Sequence, residues 1–212
     1  MGDVTGILLM IPPLLFALTF HEYSHALVAT RLGDPTARLL GRLTLNPIAH
    51  LDVVGTLVFV MTQRIGWAKP VPIDERYLRH PRRDIMWIAL AGPVSNLVLA
   101  LVLGTIVRFW APHPATSVAS ALLLAMVRAG VVFNLGLMAF NLIPIFPLDG
   151  SRILTGLLSR AWAERYRELD RIGPFLLLGI VVLGMVSGFN LFSYVVYPVI
   201  YVLGNAFTGG AQ

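Results

Sequence analysis

Long apolar runs alternate with short polar stretches along this chain. Four runs, each near the roughly 20 residues needed to cross a bilayer, cover about residues 4–31, 85–109, 117–143 and 174–203. A polar and glycine-containing stretch at residues 187–190 can divide the last run into two helices. Because hydrocarbon offers no hydrogen bonds to the backbone, each run predicts an α-helix. We therefore predict an all-α polytopic membrane protein with four to six transmembrane segments.

The connection between the first two runs has a different pattern. Gly41–Leu45 and Gly55–Met61 are short and rich in β-branched or bulky residues, and Asn46-Pro47 and Gly66 are turn signals. Neither segment is long enough to span a bilayer. This pattern predicts a short β-hairpin or a re-entrant element between the first two main spans.

The composition agrees with a membrane protein and excludes an ordinary soluble domain. Apolar residues make up 57% of the 212 positions and charged residues only 13%, about half the charged fraction of a typical soluble domain. The mean hydropathy is +0.77. We expect one domain over residues 1–212. There is no cysteine, so disulfides and thiolate metal ligands are excluded.

The basic residues predict how the chain is oriented. The net charge is +5, and 14 of the 16 Lys and Arg residues fall in two connections, at residues 31–84 and 146–173. Basic residues in loops between apolar runs indicate membrane orientation rather than a nucleic-acid partner. The positive-inside rule assigns both loops to the cytoplasm and the N-terminus to the outside. Since no organelle-targeting signal is present, we expect a multi-pass protein of a prokaryotic cell membrane.

The first apolar run ends in a metal-binding pattern, His21-Glu22-Tyr23-Ser24-His25. Residues i and i+4 of a helix lie on one face, so both imidazoles can reach the same ion. Glu22 is placed to address a water molecule at that ion as a general base. Three ionisable groups within five residues of an apolar helix are costly unless they bind or pair. We therefore predict a metal site here rather than a buried structural network.

Catalytic zinc sites usually have three protein ligands, so a third residue is needed. Asp149 lies at the cytoplasmic end of the third run, and His21 and His25 lie near the cytoplasmic end of the first. By spacing alone, Asp149 fits a metal ligand or a helix cap at the membrane surface. His50, with Asp52 two residues later, is a rival ligand in the loop.

Two amides, Asn96 and Asn141, lie at membrane depth in the second and third runs. One interpretation is hydrogen bonding between helices, worth roughly 1 kcal/mol. The other is functional, with the amides steadying Asp149 or polarising the carbonyl of the bond to be cleaved. The sequence does not decide between the two.

Four motifs together resemble the site-2 intramembrane metalloproteases. They are His21–His25 on an apolar helix, Gly66–Pro72, Ala91–Asn96, and the Asn141–Gly150 stretch that ends in Leu-Asp-Gly. The similarity extends over about residues 15–155. We expect a minimal form that lacks the PDZ domain and the regulatory C-terminal domain of larger relatives.

The resemblance implies a ligand set and an activity. It implies that His21, His25 and Asp149 bind one Zn²⁺ and that Glu22 is the catalytic acid and base. The expected activity is hydrolysis of peptide bonds in transmembrane protein substrates near the cytoplasmic side of the lipid bilayer. The alternative is a membrane metal transporter or metal-binding protein with the same ligands and no hydrolysis. Glu22 favours the protease, because a transport site does not require a base beside its first ligand.

Overall fold

A computed structural model describes residues 4–62, 67–111, 113, 116–187 and 191–210. This part of the chain is mainly helical, and no β-strand occurs within it. Its α-helices are α1 (Val4–Leu32), α2 (Thr36–Leu39), α3 (Val53–Thr62), α4 (Pro81–Trp110), α5 (Val118–Asn141), α6 (Asp149–Leu157), α7 (Arg160–Arg167), α8 (Gly173–Ser187) and α9 (Leu191–Thr208). Short 3₁₀ helices lie at Pro47–His50, Glu75–Tyr77 and Glu168–Arg171.

The first three predicted apolar segments are confirmed as helices, because α1, α4 and α5 begin and end within four residues of the predicted bounds. The fourth segment forms two helices, α8 and α9, and residues 188–190 lie outside the described residues. Two of the described helices, α4 and α5, are long and apolar enough to cross a membrane, with mean hydropathies of 2.0 and 1.9. The number of spans remains a prediction.

Polar residues mark the beginnings of both of these helices. Pro81 lies in the first turn of α4, where its missing N–H removes no hydrogen bond. The Asp84 carboxylate accepts a hydrogen bond from His80 N at 2.8 Å. Helix α5 begins with a capping box in which Ser117 and Ser120 exchange side-chain and backbone hydrogen bonds. These caps fix where the two apolar helices start.

Helices α1, α4, α5 and α9 pack as a bundle in which glycines allow close approach. A Cβ added at Gly104 of α4 would lie 2.6 Å from the Cβ of Phe207 in α9. A Cβ added at Gly130 of α5 would lie 2.8 Å from Leu103 Cδ1 in α4. Small residues at such contacts are typical of membrane helix packing. The buried apolar core beside them consists of Ala100, Val107, Val131, Leu135, Met138 and Ala139.

Of the two alternatives predicted for this connection, the β-hairpin is not found in the residues that the structure describes, and the re-entrant element remains a prediction. Residues 53–62, which include all of the expected strand Gly55–Met61, form helix α3. The reason is a helix cap: Asp52 Oδ1 accepts from Gly55 N at 2.7 Å, and Asp52 O accepts from Thr56 Oγ1 at 2.6 Å. This local capping overrides the β-propensity of the branched residues. A single antiparallel bridge, Leu51 with Ala68, is the nearest feature to the expected pairing in the described loop.

Candidate metal centre

Two helices bring three potential ligands together. His21 and His25 lie one turn apart on α1, and Asp149 is the first residue of α6. The two Nε2 atoms are 3.0 Å apart. Asp149 Oδ2 lies 3.1 Å from His21 Nε2 and 3.3 Å from His25 Nε2. The three side chains therefore meet at one point, as the sequence and the family resemblance together predicted.

Hydrogen bonds at Nδ1 of each ring determine whether Nε2 carries a proton or a lone pair. His25 Nδ1 lies 2.7 Å from the carbonyl oxygen of Ile88, which only accepts, so the ring proton is on Nδ1. His21 Nδ1 lies 2.6 Å from Asn96 Oδ1, which again places the proton on Nδ1. In the neutral rings, both Nε2 atoms therefore present lone pairs towards Asp149.

This arrangement requires a cation. Asp149 Oδ2 is buried and receives no hydrogen bond of acceptable geometry, so two nitrogen lone pairs and a carboxylate oxygen face one another. Only a proton on a ring or a metal ion between the three atoms removes the repulsion.

The donor set and its spacing fit zinc. Zinc binds imidazole nitrogen and carboxylate oxygen at about 2.0–2.2 Å, so the ligand atoms of a tetrahedral site lie roughly 3.3 Å apart. The three distances in this site, 3.0, 3.1 and 3.3 Å, are close to that value. The three ligand atoms come from nearly buried side chains, with His21 at 4% and His25 at 7% exposure.

Gly92 of α4 leaves the space that an ion requires. A Cβ added to Gly92 would lie 2.5 Å from His25 Nε2 and 2.6 Å from His21 Nε2. A methyl group there would thus take up the position at which the two ring nitrogens converge. Asn96 lies four residues later on the same helix face. The motif Ala91–Asn96 therefore combines an open position for an ion with a hydrogen-bond acceptor for His21.

The loop that carries Asp149 is held by tight backbone packing and by α7. A Cβ added at Gly150 would lie 2.3 Å from the carbonyl oxygen of Leu142, so only glycine fits there. The Tyr166 hydroxyl on α7 donates to Pro144 O at 2.6 Å, and its ring packs on Phe146 with centroids 5.2 Å apart. These contacts fix the connection between α5 and α6, at the end of which Asp149 lies.

Glu22 is buried in α1 between the two histidines, with 9% of its surface exposed. Its place in the helix is the one that the pattern predicted, and its role as acid and base remains a prediction. Asn141 donates from Nδ2 to Leu137 O at 3.0 Å, on its own helix. Its predicted role beside Asp149 or the cleaved carbonyl is not tested by this contact.

His50, the rival ligand, is not among the three converging side chains. It is fully buried in the loop, where its Nε2 lies 2.8 Å from the carbonyl oxygen of Thr44. That bond places the ring proton on Nε2 and ties His50 to the loop backbone. Among the described residues, the one group of three acidic or imidazole side chains with metal-ligand spacing is His21, His25 and Asp149.

Asn96 agrees with the first sequence-based interpretation, hydrogen bonding between helices. Its amide joins helices, donating to Ala17 O and to Asn134 Oδ1, and it also contacts His21 rather than Asp149. Asn134 was missed by the sequence argument. A signal was present, because Asn134 precedes Asn141 by seven residues on one face of α5, and a buried amide in an apolar helix needs a partner.

Comparison with known proteins identifies the family. Residues 104–186 match Peptidase family M50. YwhC of Bacillus subtilis, provisionally named a zinc metalloprotease, is 36% identical over 191 residues, which are 88% of this chain and 83% of the relative. Rip2 of Mycobacterium tuberculosis H37Rv, named in the same way, is 30% identical over 83% of this chain and 66% of its own length.

A zinc metalloprotease of Methanocaldococcus jannaschii is 25% identical over 82% of this chain and 42% of its own. No solved structure matches the chain. These relatives confirm the predicted resemblance and do not favour the metal-transporter alternative. The chain is a zinc metalloprotease of peptidase family M50.

Proposed function

We propose that this metalloprotease cleaves transmembrane segments of other proteins inside the lipid bilayer, close to its cytoplasmic face. In this proposal His21, His25 and Asp149 hold zinc, and Glu22 is the acid and base. The observation that carries the proposal is the convergence of these three ligand atoms within a bundle that contains the two apolar helices α4 and α5.

The depth of the site follows from helix geometry. Gly92, which lies against both histidines, is seven residues after Ile85, the first apolar residue of α4. At about 1.5 Å per residue, the site lies roughly 10 Å below the membrane surface, taken at Ile85, where the apolar part of α4 begins. That surface carries the basic loops, so the positive-inside rule places it in the cytoplasm of a prokaryotic cell and the N-terminus outside.

The residues of the site have different roles in peptide hydrolysis. Zinc bound there supplies a Lewis acid that acidifies a water molecule and polarises the scissile carbonyl. Glu22 accepts the proton of the attacking water and passes it to the leaving amine nitrogen. Burial of Glu22 and of both imidazoles in the bundle keeps bulk water from competing for these groups.

The test is a cleavage assay with the protein in liposomes, loaded with zinc and given a single-span substrate. Glu22→Gln keeps the side-chain volume but removes the base, so we expect normal zinc content and at least 100-fold slower cleavage. Glu164→Gln is the matched control, because Glu164 is exposed on α7 and pairs only with the exposed Arg160 within the described structure.

Mass spectrometry of the products locates the cut. A cut within the transmembrane segment supports the proposal, and a cut confined to loops outside the bilayer contradicts it. Equal rates for Glu22→Gln and the unaltered protein contradict the assigned role of Glu22. Sidedness is measured separately with single cysteines in the two basic loops, since the native chain has no cysteine to interfere.

A further inference from the structure

Three buried groups form a hydrogen-bonded chain that ends at His21. Asn134 Nδ2 donates to Gly130 O at 2.8 Å. Asn96 Nδ2 donates to Asn134 Oδ1 at 2.8 Å, and His21 Nδ1 donates to Asn96 Oδ1 at 2.6 Å. Both asparagines are fully buried. The chain therefore runs from the backbone of α5 through α4 to the metal centre on α1.

The carbonyl oxygen of Gly130, at one end of this chain, determines which group donates and which accepts in every hydrogen bond of the chain. A backbone carbonyl only accepts, so Gly130 O requires the NH₂ group of Asn134 to face it. Asn134 then turns its oxygen to Asn96, and Asn96 must turn its NH₂ group to Asn134. A second carbonyl, Ala17 O, also accepts from Asn96 Nδ2 at 3.1 Å and enforces the same orientation. Asn96 therefore offers only its oxygen to His21.

We propose that Asn134 is a positioning residue that, through Asn96, fixes the tautomer and ring orientation of His21 so that Nε2 faces the metal. This inference rests on the proposed assignment of His21 as a zinc ligand. Asn134 acts at a distance, since its amide contacts Asn96 and its own helix. A hydrogen bond to the second nitrogen of a ligating histidine orients the ring and raises its basicity, and its loss typically weakens metal binding 10- to 100-fold.

The two histidines differ in a way that supplies an internal control. His25 Nδ1 is held by the backbone carbonyl of Ile88, which no side-chain substitution at Asn134 removes. His21 Nδ1 is held by the Asn96 side chain, whose amide is in turn held by Asn134 together with Ala17 O. Loss of Asn134 should therefore disturb His21 and leave His25 unaffected, which a general loosening of the bundle would not do.

Two substitutions at position 134 separate positioning from packing. Asn134→Leu keeps the volume but removes both donor and acceptor, so Asn96 is no longer held from α5. Asn134→Asp keeps an oxygen for Asn96 and, when protonated, still donates to Gly130 O. Thr208→Val is the control for removing a buried polar group, because Thr208 bonds only to Gly204 O on its own helix within the described structure.

The experiment uses the zinc-loaded full chain labelled with ¹⁵N-histidine. The exchange rates of the Nδ1 protons of His21 and His25 are measured by NMR, and the Kd for zinc is measured by chelator competition. For Asn134→Leu we expect at least tenfold faster exchange at His21, unchanged exchange at His25, and a zinc Kd about tenfold higher. Asn134→Asp and Thr208→Val should remain within about threefold of the unaltered protein in both measurements.

Two outcomes overturn the inference: unchanged His21 exchange and zinc affinity in Asn134→Leu, or equal acceleration at His21 and His25. Failure of the underlying ligand assignment is recognised separately, because His21→Ala would then leave the zinc Kd unchanged. If His21→Ala abolishes zinc binding while Asn134→Leu has no effect, the metal site stands and the positioning role is wrong.

Discussion

Substitution of Gly92 by alanine adds one methyl group at the point where the two ring nitrogens converge. The added Cβ would lie 2.5 Å from His25 Nε2 and 2.6 Å from His21 Nε2, whereas carbon and nitrogen in ordinary contact are about 3.5 Å apart. Each ring would have to move outward by roughly 1 Å. Metal–ligand distances tolerate only about 0.2 Å of error, so a shift of that size is incompatible with zinc binding.

The rings have little freedom to make that shift. Their Nδ1 atoms are bonded at 2.6 Å to Asn96 and at 2.7 Å to Ile88, and a displacement of about 1 Å would stretch both bonds beyond useful length. Overpacking costs about 1–3 kcal/mol, and alanine in place of glycine in a helix returns about 1 kcal/mol. We therefore expect Gly92→Ala to fold, with a zinc Kd at least 100-fold higher.

The assay compares zinc content, zinc Kd and thermal unfolding for Gly92→Ala and Gly136→Ala. Gly136 is the matched control, because a Cβ there would meet only Ile200 Cδ1, at an ordinary 3.7 Å. It should bind zinc like the unaltered protein. If Gly92→Ala folds and retains zinc with an affinity within threefold, the metal does not lie between these three side chains and the site geometry is refuted.

Three further predictions follow from the loop and the charges of the site. Gly150→Ala places a Cβ 2.3 Å from Leu142 O. Unlike Gly92→Ala, this variant should lose zinc, and its free energy of unfolding in a denaturant titration should fall by more than 2 kcal/mol. An unfolding midpoint equal to that of the unaltered protein contradicts this prediction. Tyr166→Phe removes the hydrogen bond to Pro144 O and should cost about 0.5–1.5 kcal/mol while zinc content stays normal; loss of zinc would show that this bond positions the loop. Zinc binding should release protons and weaken as the pH falls, because zinc and protons compete for the imidazole nitrogens. Calorimetry in buffers of different ionisation enthalpy measures the release, and an identical heat in all of them contradicts the prediction.

Much of the metal centre could be predicted from the sequence because it depends on local helix geometry. The i, i+4 spacing of His21 and His25 places both imidazoles on one face whatever the surroundings. Asp149 is different, because its approach to α1 depends on the packing of a loop and of α6 over a long sequence separation. By spacing alone a helix cap remained an alternative for Asp149, and the family resemblance favoured the metal ligand.

The remaining features depend on register between helices or on competition between local signals. The partnership of Asn96 with Asn134 requires knowing which turns of α4 and α5 face each other, and apolar periodicity does not determine this. In the loop, the branched residues after Asp52 favoured a strand. The hydrogen bonds of Asp52 to Gly55 and Thr56 start a helix instead. The sequence pattern does not show whether the helix cap or the β-propensity of the branched residues is the stronger signal.

The separation of the ligands along the chain has a mechanical consequence. His21 and His25 lie on α1, and Asp149 follows the end of α5, so a metal ion bound to all three closes a ring that contains α4 and α5. Like a disulfide, such a closure restricts the unfolded chain most when the enclosed loop is long. The catalytic ion is then also a cross-link, and a single-molecule pull on the N-terminus should extract α1 at a higher force with zinc than without it.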